Sequence, residues 1–376
     1  MKRIGIHTIT DYGNYGNRLQ NYATQEILKQ LGYEVESIIN YPTPPTDDSI
    51  SQIRNRVNAA FNQSPIQLLK RISKKIKEKR YKSTYIKCQD AKAKTFKEFT
   101  KKHIKESDFV LTLSSVPEDI NNRYDYCVVG SDQIWNPNIR YGSSLDFLSY
   151  VSPEKRIALA PSIGVSHIPE NYKPIYRQYL NEMALLSVRE EKGAEIIQSL
   201  CGKSAEVLVD PTIVLKTNEW KKIVSRAHNK PKSPYLVCYF IGEVSTNRYK
   251  KLQYIAKTNK LELVMLNSLH DTVRYSADPG EFIDYIRSST LVCTDSFHCI
   301  IFSMHFQRPF VVFDREGKSA PMGSRIDTLL KKFEFGNRKL NEIEKNGRFF
   351  DIHFEHVPAI MDAERGKFIN YLKRIL

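Results

Sequence analysis

Apolar and polar positions along this chain alternate between two rhythms, and the switches between them mark where chemistry can sit. Residues 2–9, with Ile4, Ile6 and Ile9, read as a first strand. Residues 11–17 are polar and carry Gly13 and Gly16. From 18 to 31, Leu19, Tyr22, Ala23, Ile27, Leu28 and Leu31 recur at helical spacing, Gly32 ends the helix, and residues 33–39 read as a second strand. Strand, loop, helix and strand in that order open a doubly wound parallel sheet. Pro42, Pro44 and Pro45 then break the pattern.

The same rhythm continues downstream. Predicted strands at 124–129, 156–160, 186–188 and 207–209 each stop at a polar or glycine-bearing turn: Gly130-Ser131-Asp132-Gln133, Pro161-Ser162-Ile163-Gly164, Arg189-Glu190 and Asp210-Pro211-Thr212. Loops so placed line ligand clefts. After Pro231 and Pro234 the pattern restarts, with strands at 235–241, 261–266, 290–293 and 310–313 and helices at 248–258, 279–288 and 298–306. Two such runs predict two α/β domains with the boundary near 185–235, here set as 1–200 and 201–360. An amphipathic helix at about 361–376 is expected to fold back onto the first domain.

Composition adds a location and a class of partner. At 376 residues the chain can bury two full cores. Its net charge of +15 favours acidic partners. Much of that charge lies in a basic helical insertion at about 50–106, where fifteen Lys/Arg face three acidic residues between Pro65 and Lys105. This segment reads either as a solvated face or as an electrostatic dock for anionic lipid or a lipid-linked substrate. It carries no nucleic-acid module, so no nucleic-acid partner is expected. The six cysteines are scattered, with no zinc spacing, as in a reducing cytosol. With no signal peptide and no apolar run near the roughly 20 residues that span a bilayer, a cytoplasmic protein, peripheral at most to the inner face of the membrane, is expected.

The candidate chemistry gathers at the strand ends. In Thr294-Asp295-Ser296-Phe297-His298 an apolar run breaks at two good N-caps, so His298 falls in the first turn of a helix. An imidazole there can hold an anion and exchange a proton, or simply cap its own helix. The turn at 11–21 offers Asn14, Asn17 and Gln20, amides suited to hydroxyl-rich ligands or to capping. Asp132 can accept a hydroxyl proton, Gln133 adds a second polar group, and Trp135 can stack on a sugar ring or pack in the core. Arg189 suits a bidentate carboxylate or phosphate contact, or an ion pair with Glu190 or Asp210. Lys318 and Arg325 would complete a cationic pocket with Arg189 and His298 if their strands are adjacent.

Five segments together resemble the polysaccharide pyruvyl transferase family: Gly13-Asn14-Tyr15-Gly16-Asn17-Arg18-Leu19-Gln20-Asn21-Tyr22-Ala23, Val129-Gly130-Ser131-Asp132-Gln133-Ile134-Trp135-Asn136, Ser187-Val188-Arg189-Glu190, Val209-Asp210-Pro211-Thr212 and Asp295-Ser296-Phe297-His298. The resemblance implies an α/β, glycosyltransferase B-like fold of two Rossmann-like domains facing a cleft. It implies transfer of an enolpyruvyl-derived group from phosphoenolpyruvate to a sugar of a polysaccharide or its lipid-linked precursor, with no metal and no cofactor. By position, Arg189 and His298 bind the donor, with His298 as general acid. Many members carry Arg where this chain has Ser296 in the donor site, and Lys318 or Arg325 would supply the charge. Asp132 would act as base beside an acceptor site of Asn14, Asn17, Gln20, Gln133 and Trp135. A nucleotide-sugar-dependent glycosyltransferase of the same fold and a non-catalytic carbohydrate-binding protein are the alternatives.

Overall fold

In the computed structural model the described residues are 1–41, 65–317 and 323–374, with side chains described outside 65–81 and 323–324. The first half opens with β1 (Arg3–His7), α1 (Tyr15–Gln30) and β2 (Glu34–Asn40). α2 (Pro65–His103) then leads into β3 (Glu106–Leu111), followed by β4 (Tyr126–Val129) and β5 (Arg156–Ala158). These five strands form one sheet in the order β3-β2-β1-β4-β5, and every neighbouring pair is parallel. Near-continuous apolar strands such as Ile4 and Ile6 in β1 suit a sheet covered on both faces. A bridge from Ile157 to Leu185 extends this half to β6 (Ser187–Val188), which pairs in parallel with β7 (Glu206–Val207). The first half therefore runs past residue 200.

After α3 (Pro211–Val214) the second half is built from β8 (Tyr235–Tyr239), α4 (Thr246–Thr258), β9 (Glu262–Leu266), α5 (Pro279–Ser288), β10 (Leu291–Thr294), α6 (Phe297–His305), β11 (Phe310–Val312) and α7 (Gly323–Lys332). Its parallel sheet has the order β11-β10-β8-β9. Both sheets start in the middle, build to one side and then return to the other. The strand order reverses between β1 and β4 and again between β8 and β10, the positions where such sheets bind ligands at their carboxyl ends. This is the two-domain, glycosyltransferase B-like α/β architecture.

Two elements tie the halves together. α2 forms one helix of 39 residues rather than several, and the first part of the predicted 50–106 insertion, residues 50–64, lies outside the described residues. Its end facing the second half donates from Gln89 Nε2 to Tyr275 Oη (2.9 Å), from Lys92 Nζ to Asn267 Oδ1 (2.8 Å) and from Thr95 Oγ1 to Ser276 O (2.8 Å). The last helix, α8 (Val357–Leu372), returns to the first half. There Arg365 Nε donates to Val214 O (2.6 Å) and Tyr371 Oη to Ala158 O (2.6 Å), while Phe368, Tyr371 and Leu372 are buried. Among the described residues no helix is long and apolar enough to cross a membrane.

Candidate active site

The site forms where the carboxyl end of the first sheet meets the N-terminus of α6. Ser296 caps α6 through its Oγ, which accepts from Cys299 N at 3.4 Å, so the helix begins at Phe297 and His298 sits in its first turn. The imidazole lies against Gly16 at the start of α1. A Cβ added there would fall 2.0 Å from His298 Nδ1, so only glycine lets the two helices meet. His298 Nε2 points toward Asp210, 3.7 Å from Oδ2, beyond hydrogen-bond range.

Asp210 is the hub. It follows β7, is fully buried, and caps α3 by accepting from Thr212 N (3.0 Å) and Thr212 Oγ1 (2.7 Å). Its other oxygen accepts from Arg189 Nη1 at 2.6 Å and Ser131 Oγ at 3.1 Å. Burial pushes this carboxyl up, but His298, Arg189 and the Thr212 amide outweigh it and hold the group well below the usual carboxylate range. Arg189, from the end of β6, therefore pairs with Asp210 and not with Glu190. Glu190 Oε1 instead accepts from Ser162 Oγ and the Ile163 and Gly164 amides. Arg189 also lies 4.9 Å above the Phe297 ring, and its Nη2 is 3.7 Å from Asp132 Oδ1. A cavity of about 30 Å³ lies between Arg189, Glu190, Asp210, Phe297 and Arg325.

Arg325, on α7, is half-buried beside this cluster. Burial and the nearby Arg189 push its guanidinium down to about 10. Arg315 adds a further cation at the N-terminus of α6, donating from Nη2 to Asp295 O at 3.2 Å. Buried side-chain atoms without a hydrogen bond among the described residues include His298 Nε2, Arg189 Nε and Nη2, and Arg315 Nε. Natural interiors leave few such atoms, and here they gather where donors would face an anion.

The residues expected at an acceptor site divide. Asn14 caps α1, which starts at Tyr15 rather than at the expected residue 18. Asn17 is buried; its Oδ1 accepts from Arg18 while its Nδ2 has no hydrogen bond. Gln20 is buried with both amide ends used, donating to Thr8 Oγ1 (2.7 Å) and accepting from Ser131 N (3.1 Å). It therefore fixes the 130–132 turn. Gln133 Oε1 accepts from Asn136 Nδ2. Trp135 does not reach a ligand: it is 1% exposed, stacks on Phe147 and donates Nε1 to Asp146 O at 2.7 Å, so its predicted sugar-stacking role gives way to core packing. Asp132 is near-buried with φ of 60°, an uncommon conformation for a residue with a side chain. Lys318 lies outside the described residues.

Sequence reasoning offered Asp210 only as a possible ion-pair partner of Arg189 and did not foresee its place beside His298, nor the contacts of Gly16 with His298 and of Phe297 with Arg189. Asp210 shows the reason: as a sequence, Asp-Pro-Thr signals a helix cap, and its second task appears only when β6, β7 and α6 converge.

Among solved structures the chain is similar to S. aureus MnaA solved with UDP (14% identity, TM-score 0.48, covering 100% of this chain and 96% of that one). It is also similar to UDP-GlcNAc 2-epimerase of Neisseria meningitidis bound to UDP-GlcNAc (10%, 0.42, 100% and 100%) and to MurG of Acinetobacter baumannii (10%, 0.40, 99% and 100%). These likenesses are distant. No curated protein matches the chain. The profile of the polysaccharide pyruvyl transferases matches residues 14–317, a span that holds Gly16, Arg189, Asp210 and His298, and the chain belongs to that family.

Proposed function

We propose that the protein transfers a pyruvyl group from phosphoenolpyruvate to two hydroxyls of a sugar, forming a cyclic ketal and releasing inorganic phosphate. The observation that carries this reading is the buried meeting of Arg189 and His298, from different halves, each with nitrogens that lack hydrogen bonds. Arg189, with Arg315 and Arg325 beside it, supplies charge for the donor's carboxylate and phosphate in place of the arginine that Ser296 replaces. His298 protonates the methylene carbon, leaving an oxocarbenium-like centre at the neighbouring carbon. One sugar hydroxyl adds there and gives its proton to Asp132. Phosphate then departs with the bonding electron pair and takes up the proton held by Asp132, and the second hydroxyl closes the ring and gives its proton to His298, which restores both residues. The roughly 30 Å³ cavity is smaller than the donor, so the reading requires the halves to part by about a ligand's width.

The test is incubation with phosphoenolpyruvate and a panel of glycosides and lipid-linked sugars. The expected result is phosphate release together with an acceptor heavier by one pyruvate less one water. Transfer of a glycosyl group from a nucleotide sugar without phosphoenolpyruvate turnover would overturn the proposal, as would glycan binding with no turnover of either donor.

A further inference from the structure

We propose that the wide cavity at the carboxyl edge of the second sheet is a subsite for an uncharged sugar ring of the acceptor; this rests on the pyruvyl-transfer reading. The cavity measures about 510 Å³ and opens where β8 and β9 end, with α2 of the first half closing one side. Its walls include Tyr85, Phe240, Asn267, His270 and Tyr275. Phe240 and Tyr275 are buried, while Tyr85 is 44% exposed. Gln89 Nε2 donates to the hydroxyls of both Tyr85 and Tyr275 at 2.9 Å, which fixes the two rings relative to each other. Asn267 is anchored by Lys92, and the His270 ring stacks on Tyr249 with centroids 4.0 Å apart. A pyranose presents an apolar face of C–H groups and a rim of hydroxyls. Aromatic walls with an amide, phenols and an imidazole match both surfaces.

The same region is ill suited to a nucleoside diphosphate. Among the described residues lining the cavity none is Lys, Arg, Asp or Glu. The loop after β8 would be the natural source of backbone N–H groups for a phosphate. Here Ile241 N and Gly242 N both donate to the Asp295 carboxylate (2.7 and 3.0 Å). Glu243 N donates to Glu316 O (3.1 Å) and Ser245 N to the Glu316 carboxylate (3.2 Å). The protein's own carboxylates occupy the place of an incoming anion. Asp295 also links the two sites, since Gly242 lines the cavity and His298 follows Asp295 by three residues. A ring held here would extend an acceptor chain away from the reacting hydroxyls.

Saturation-transfer NMR with methyl glucoside, methyl galactoside, methyl mannoside and uridine tests the proposal, with phosphoenolpyruvate binding measured by calorimetry on the same preparation. Transfer to at least one glycoside is expected. It should vanish in Thr84→Trp, which fills the cavity, and weaken by about threefold to tenfold in Tyr85→Ala, the worth of one aromatic contact. Because Tyr85 is exposed, its truncation should leave the melting temperature in place even if Thr84→Trp disturbs the helix. Transfer to uridine instead, no transfer, or transfer that survives both substitutions would overturn the subsite. Glycoside binding without phosphoenolpyruvate binding would leave the subsite standing and remove the donor reading.

Discussion

His298 and Arg189 share the Asp210 carboxylate, yet the proposed chemistry assigns them different failures. His298→Ala should lower turnover by roughly 10²–10⁴-fold, with a smaller change in donor affinity. Arg189→Ala should chiefly weaken phosphoenolpyruvate binding, and Arg189→Lys should restore it only in part, because an ammonium lacks the planar fork. Gly16→Ala is the control on position. Its methyl group would occupy the place of the imidazole, so His298 must move while keeping its chemistry. Turnover should drop by at least about tenfold, since small misplacements of a reacting group are costly. Steady-state phosphate release and calorimetry separate the three. Equal losses of activity and melting temperature in all of them would mark the residues as structural and dismiss the catalytic assignment.

α2 and α1 show how an element can serve both halves. Lys92 of α2 is 2% exposed, with its ammonium 4.6 Å from the Tyr15 ring centre and 5.1 Å from that of Phe96. Burial pushes it from 10.5 down to about 7, opposed only in part by Asp11. Between those values the unfolded chain keeps a proton that the folded chain has released, so this group's contribution to stability rises with pH across the window and is least favourable below about 7. Lys92→Met should therefore stabilise the protein more at pH 6.5 than at pH 9.5 in urea melts. A difference independent of pH would contradict this. Sequence rhythm made the strands and most helices legible because parallel strands buried on both faces are continuous apolar runs. It misplaced the start of α1 because Gly16 and Asn17 read as turn residues, yet both are buried in the first turn of the helix, where Gly16 lies against His298. The site was half legible for a related reason. A strand-end His or Arg can be read from local pattern, whereas Asp210 beside Arg189 and His298 depends on distant segments meeting.

At the scale of the molecule, charge and connectivity dominate. Lys82 and Lys87, within the basic stretch seen in the sequence, are exposed on α2. If this face carries the protein to an anionic membrane or a lipid-linked acceptor, co-sedimentation with phosphatidylserine vesicles should exceed that with phosphatidylcholine vesicles. It should also fall steeply as salt shortens the screening length to roughly 8–10 Å and below. Equal binding to both kinds of vesicle would reject the electrostatic dock. The return of α8 has a different outcome, in time rather than in space. Tyr371 meets Ala158 across 213 residues of chain, and the whole of the second half lies between them. At synthesis rates of roughly 5–20 residues per second, the first half, complete near Val214, waits roughly 8–30 s on the ribosome with the seat of Phe368, Tyr371 and Leu372 uncovered. During that interval the nascent chain presents an apolar surface to chaperones and to neighbouring copies, and the first half gains its full cover only after the second has been made.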